Sequence, residues 1–135
     1  MKVFLDTNVL VAAFATRGLC ADVLRTVLAE HELVLGEVVL DEFRRVLSKK
    51  FKVPEDGIQA AEAVFEGITP VAKPKNASRL EIRDPADRWV LASAEAAGAD
   101  VLVTGDEDLL SVAGESLIRI ANPRAFWELL RTGQK

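Results

Sequence analysis

Asp6, Glu42, Asp84, Asp87, Asp106 and Asp108 are the residues of this chain whose type and spacing could do chemistry. Asp6 ends the apolar run Lys2-Val3-Phe4-Leu5 and is followed by Thr7-Asn8. Asp106 and Asp108 follow a second such run, Val101-Leu102-Val103-Thr104, across Gly105. As buried parallel strands, both runs would end on one rim of a sheet, the edge where ligands and chemistry collect in open α/β proteins. A carboxylate there is expensive to bury without a metal, a proton or a donor. Several on one rim raise each other's pKa unless a cation sits among them. A hard oxygen set without neighbouring His or Cys suits Mg²⁺ or Mn²⁺ better than zinc. Carboxylate-held Mg²⁺ is the usual apparatus for cutting or transferring phosphodiesters.

Each acid also has a local explanation. On a helix, Glu42 lines up with Val39 and Val46, which are expected to face the sheet. An acid there is an informative exception, although a glutamate at the stripe's edge, paired with Arg45 or reaching solvent, would also fit. Asp87 shares a face with Val90, Leu91 and Ala94, yet it also stands where a capping-box acid would reach back to Asp84, a good N-cap before Pro85. Asp106 can cap a short helix that holds Asp108 in its first turn. Singly these accounts suffice; a shared rim is what they leave unexplained.

The elements that must position these acids alternate between short β-like runs and helical segments, the pattern of a parallel sheet covered on both faces. Strands are expected at residues 2–6, 33–35, 68–71 (weakly), 101–104 and 117–120. Helices are expected at residues 8–15, 20–30, 38–51, 54–65, 84–97, 106–112 and 123–130, with Gly98 as a C-terminal cap and residues 74–83 as a loop. No repeat or linker interrupts the pattern, so residues 1–135 are expected to form one domain.

Half of the residues are hydrophobic and 28% are charged, as in an ordinary globular protein. No apolar stretch approaches the ~20 residues of a membrane span. Cys20 is the only cysteine, which excludes an intrachain disulfide and a thiolate metal cluster and suits the cytoplasm. The formal net charge of -4 argues against a nucleic-acid partner. Its distribution offsets that argument: Arg44, Arg45, Lys49, Lys50 and Lys52 form one basic cluster, and Lys73, Lys75, Arg79 and Arg83 another. Either cluster could also be solvated surface.

Asp6-Thr7-Asn8-Val9, Glu42 in Asp-Glu-Phe-Arg-Arg-Val-Leu, Asp84-Pro85-Ala86-Asp87 and Thr104-Gly105-Asp106-Glu107-Asp108-Leu109-Leu110 together resemble the PIN-domain ribonucleases. The resemblance runs from Lys2 to about Trp127 and is to the prokaryotic, VapC-like branch of toxins of toxin–antitoxin pairs. No one motif is specific; the four in this order are. The resemblance implies a three-layer α/β/α sandwich with a mostly parallel sheet of four to five strands, and an endoribonuclease site dependent on Mg²⁺ or Mn²⁺. It makes Asp6, Glu42, Asp87 and Asp106 the catalytic, metal-binding quartet, with Asp84 and Asp108 as additional acids and Asn8 and Thr104 as supporting polar groups. It also implies an RNA substrate, an antitoxin partner and a homodimer. Arg44, Arg45 and Lys49 are candidates to bind the RNA backbone. The chain departs from its relatives at Gly36-Glu37, where a Ser or Thr often ends the second strand.

Two other classes compete. A catalytically inactive PIN-like module would keep the acids as caps and bind RNA or an antitoxin without cutting. An aspartyl-nucleophile phosphotransferase would want a second Asp two residues after Asp6, where Asn8 stands. No glycine-rich phosphate loop follows any strand, and His31 is the only histidine, so nucleotide-dependent and histidine-triad chemistry have little support.

Overall fold

Val3, Phe4 and Leu5 are each fully buried at consecutive positions. Neighbouring residues of a strand point to opposite faces, so this strand must be covered on both sides. In the computed structural model, which describes residues 1–133, that strand is β1 (Lys2–Leu5) of a four-stranded, wholly parallel sheet. The last two residues of the expected 1–135 domain lie outside the described residues. The other strands are β2 (Glu32–Val34), β3 (Val101–Val103) and β4 (Arg119–Ala121), in the order β2-β1-β3-β4. Phe4 is in register with Val34 on one side and Leu102 on the other. From β1 the chain crosses to β2, then returns past β1 to β3 and β4. The direction of winding therefore reverses at β1/β3, the position where an open α/β sheet leaves a crevice outside its carboxyl ends.

Seven α-helices are described: α1 (Thr7–Ala15), α2 (Leu19–Glu30), α3 (Glu37–Lys49), α4 (Glu55–Glu62), α5 (Pro85–Ala96), α6 (Glu107–Leu110) and α7 (Pro123–Thr132). Among the described residues no single helix is long and apolar enough to cross a membrane. Helix α5 ends as expected, with Gly98 just beyond it at φ 69°. Phe14 of α1, Phe43 of α3 and Phe65 of the 3-10 turn Ala63–Phe65 form an aromatic trio with centroids 5.6–6.0 Å apart. Such pairs contribute about 0.5–1.5 kcal/mol each beyond area burial, and they fix α3 against α1.

Three expectations shift. Residues 68–71 do not form a strand: Val71 alone pairs, in a single parallel bridge to Gly36. Pro70 has no N–H to give a ladder, which limits the contact to one residue. The last strand starts at Arg119 rather than Leu117, which is 94% exposed, because Ser116 Oγ accepts the Ile118 N–H (3.2 Å) and turns the chain first. On α3 the buried stripe is Val39, Phe43 and Leu47; Glu42 lies instead on the adjoining stripe with Val38 and Val46. Residues four apart line up along a helix, so 39, 43 and 47 make one row and 38, 42 and 46 the next.

The Gly36 departure has a packing reason. A Cβ at Gly36 would lie 3.1 Å from Ser93 Cβ and 3.2 Å from Phe4 Cζ. Gly36→Ala is expected to cost about 1–3 kcal/mol by overpacking, read by urea denaturation. Unchanged stability would show that Phe4 and Ser93 move aside freely.

Candidate active site

The end of β1 is tied to the end of β3. The Asp6 N–H donates to the Val103 carbonyl (3.0 Å), and Asp6 is the N-cap of α1. Its Oδ1 accepts the Thr7 N–H (2.7 Å); its Oδ2 accepts the Thr104 hydroxyl (2.8 Å) and the Asn8 amide (3.1 Å). Asn8 Oδ1 in turn accepts the Gly105 N–H (2.9 Å), and Thr104 Oγ1 accepts the Asp106 N–H (3.0 Å). These bonds carry Asp6, Asn8, Thr104 and Asp106 across the switch point as one network. Burial pushes Asp6 up to about 6 from 3.8, despite the opposing hydrogen bonds from Thr104 and Thr7; the charges of Glu42 and Asp106 push it the same way.

The second part of the site is built on helix starts. Asp84 is exposed and caps α5, accepting the Ala86 N–H (3.0 Å), with Pro85 at the first helical position. Asp87 follows in the first turn and is only 6% exposed. Asp106 caps α6 by accepting the Asp108 N–H (2.8 Å). One oxygen from each of Asp87, Asp106 and Asp108 lies within 4.8 Å of the others. Burial, then the charge of Asp106, then those of Asp6 and Asp84, push Asp87 up to about 8. Its Oδ2 is buried without a hydrogen-bond partner, as is Thr7 Oγ1. Asp87 thus combines a buried carboxylate oxygen lacking a donor with a place among further carboxylates, a set that a divalent cation would satisfy, so these residues fit Mg²⁺ or Mn²⁺.

A groove of about 780 Å³ opens from this rim between α1, α3 and the start of α5. Asp6, Asn8, Glu42, Asp84, Asp87 and Asp106 line its acidic end, with Glu42 half-buried. Thr104 lies beneath, fully buried, and Asp108 stands beside Asp106, its Oδ1 3.3 Å from Arg83 Nε. The structure thus brings the quartet and its four supporting residues to one place. The basic candidates separate. Arg45 lines the groove; Lys49 is exposed away from it. Arg44 is held by Glu55 (2.7 Å) and Glu62, whose hydrogen bonds raise its pKa further and pin α3 to α4.

Lys50 and Lys73, which sequence reasoning placed only within basic clusters, line the groove beside Phe51 and Trp89, which it did not single out. The available signal was a phenylalanine among three lysines at the end of a helix, Lys49-Lys50-Phe51-Lys52, and a tryptophan two residues after Asp87.

The PIN-domain family model matches residues 2–108. VapBC2 from Rickettsia felis, in a structure bound to a DNA fragment from its promoter, matches with a TM-score of 0.64 at 17% identity, covering 90% of this chain and 98% of that chain. FitAcB from Neisseria gonorrhoeae gives 0.60 at 14% identity, covering 90% and 98%. VapBC-1 from nontypeable Haemophilus influenzae gives 0.60 at 18% identity, covering 92% and 99%. At these identities the likeness is one of fold. No curated protein matches the chain.

Proposed function

The chain belongs to the PIN-domain family, and from that premise we propose that it is a metal-dependent endoribonuclease, the toxin of a toxin–antitoxin pair. The observation that carries the chemistry is the buried Asp87, one of its oxygens unpartnered, clustered with Asp106 and Asp108 at the β1/β3 crevice. Asp6, Glu42, Asp87 and Asp106 would hold Mg²⁺ or Mn²⁺, with Asp84 and Asp108 adding negative charge at its edge. Such an ion, when bound, supplies an activated water and charge stabilisation at the phosphate.

The remaining work falls to the chain's own groups. Thr104 and Asn8 orient Asp6 through Oδ2, leaving its carboxylate fixed at the crevice. Asn8 also holds the Gly105 N–H, so the turn carrying Asp106 is set by the same residue. Arg45, Lys50 and Lys73 line the groove where they can take phosphates on either side of the cut, positioning the strand without reading its sequence. They also offset the net negative charge where it would otherwise repel RNA. The neighbours VapBC2 and VapBC-1, solved as complexes, support an antitoxin partner, and we propose a cytoplasmic homodimer built on one domain spanning residues 1–135.

The test is cleavage of single-stranded RNA with Mg²⁺ or Mn²⁺ and with excess chelator. Cleavage that requires the ion is expected; equal cleavage in chelator would sink the reading. One observation favours a second reading, that of a non-catalytic binding module: Asp84 and Asp106 both make real helix caps. A module of that kind would bind RNA or an antitoxin and leave RNA intact at every metal concentration.

A further inference from the structure

The groove does not end with the acids. Away from them its floor is apolar, with Val11, Ala12, Val38 and Val46, and its rim combines two aromatic rings with three cations. Phe51 is 47% exposed although it is a large apolar residue. The ammonium of Lys50 stands 5.9 Å from its ring, and that of Lys73 stands 4.4 Å from the ring of Trp89. The backbone around Phe51 is specifically arranged. Lys52 takes φ 56°, a left-handed conformation that costs a non-glycine residue energy, while the Phe51 and Val53 N–H groups bond back to Val46 (3.2 Å) and Leu47 (2.9 Å). The turn closes α3 and leaves Phe51 on the groove rim rather than in the core.

The geometry points to a base-stacking subsite: Phe51 and Trp89 receive unpaired nucleobases flanking the scissile phosphate, while Arg45, Lys50 and Lys73 hold the phosphates between them. This rests on the ribonuclease reading and names its substrate class, an unpaired strand. Aromatic rings interleaved with cations along a groove are the composition that single-strand binding uses, because every base has a π-face and every linkage a charge. A paired strand could not use the rings, since its bases are already stacked on one another. Lys73 now covers a face of Trp89; its flexible stem lets the ammonium move to a phosphate while a base takes its place. An exposed cation–π contact is weaker than a stacked base, so the exchange favours the bound strand. Beyond the metal-site acids, Arg45, Lys50 and Lys73 outnumber the one further lining carboxylate, Asp41, so charge complementarity selects a polyanion over an apolar polypeptide for this rim.

The test uses binding as well as cleavage. The chain has two tryptophans, so Trp127→Phe leaves Trp89 as the sole fluorophore, and Asp6→Asn keeps the RNA uncut. A single-stranded oligoribonucleotide is expected to quench Trp89, whereas an abasic strand of equal length and a duplex are not. Phe51→Ala, at an exposed position where folding is not at stake, is expected to weaken single-strand binding roughly 5- to 100-fold, and Trp89→Leu similarly, with little effect on the abasic strand. The proposal is overturned if the natural chain cleaves RNA but neither variant changes binding, or if RNA binds without quenching Trp89. An amphipathic arginine-rich peptide that quenches Trp89 where RNA does not would assign the groove to a polypeptide and overturn it as well. If the natural chain neither binds nor cuts RNA, the ribonuclease reading itself fails, a result distinct from cleavage with an indifferent rim.

Discussion

Asp6→Asn is expected to reduce RNA cleavage by roughly 10³-fold or more, the scale on which removing one member of a cooperating catalytic group acts. The change is nearly isosteric. Asn can keep an oxygen for the Thr7 N–H, and it sits at the same N-cap. What it cannot supply is the charge, nor an acceptor at the Oδ2 position for both Thr104 and Asn8. Folding is expected to survive, because burial already disfavours the ionised form of Asp6. Thermal melting should therefore stay the same or rise while cleavage collapses. Calorimetric titration with Mn²⁺ reports the same substitution without any RNA, and weaker binding is expected. A variant that cuts at the rate of the natural chain would remove Asp6 from the site.

The second large effect concerns stability in chelator as pH rises. Both Asp6 (about 6) and Asp87 (about 8) titrate above the ordinary 3.8 of an aspartate. The folded chain therefore binds more protons than the unfolded chain between these values, and stability must fall as pH rises. The stabilisation is fully present below about pH 4; Asp6 loses it on rising to about 6 and Asp87 on rising to about 8. For Asp6, 3% exposed, a displacement of about two pH units corresponds to about 3 kcal/mol. Asp87 acts in the same direction. Urea denaturation in chelator at pH 5 and pH 8 measures the fall. Mn²⁺ binds the ionised carboxylates, so its stabilisation should grow with pH and flatten the slope. Asp87→Asn should raise the chelated midpoint at pH 8 and abolish most of that metal effect. A chelated chain more stable at pH 8 than at pH 5 would contradict the burial and repulsion on which this rests.

These two results would be two sides of one arrangement: the acids destabilise the fold in order to stand together. That conflict was partly legible in the sequence. Asp6 and Asp106 stop apolar runs abruptly, and Asp84-Pro85 opens a helix with the residue types such a start requires. Glu42 was harder to place. Spacing shows that it lies near an apolar stripe, but rows 39, 43, 47 and 38, 42, 46 are adjacent on a helix, and only the packing of Phe43 against Phe14 and Phe65 shows which is inward. Arg44 and Arg45 were indistinguishable as members of one basic cluster. The difference lies in α4, which brings Glu55 and Glu62 to Arg44 and leaves Arg45 at the groove.

By itself, then, the sequence determined what depends on near neighbours: the strand and helix alternation, the caps, and acids at strand ends with no His or Cys next to them in the chain. Tertiary structure alone decided which of those ends meet. The order β2-β1-β3-β4 sets Thr104 against Asp6 across 98 residues and makes their crevice the switch point. It also turned Phe51 and Trp89 toward one groove, with Arg45, Lys50 and Lys73 beside them. The physical reason is that periodicity and capping are satisfied within a few residues of chain, whereas the neighbours of a buried carboxylate or a rim aromatic are chosen by how whole apolar faces pack.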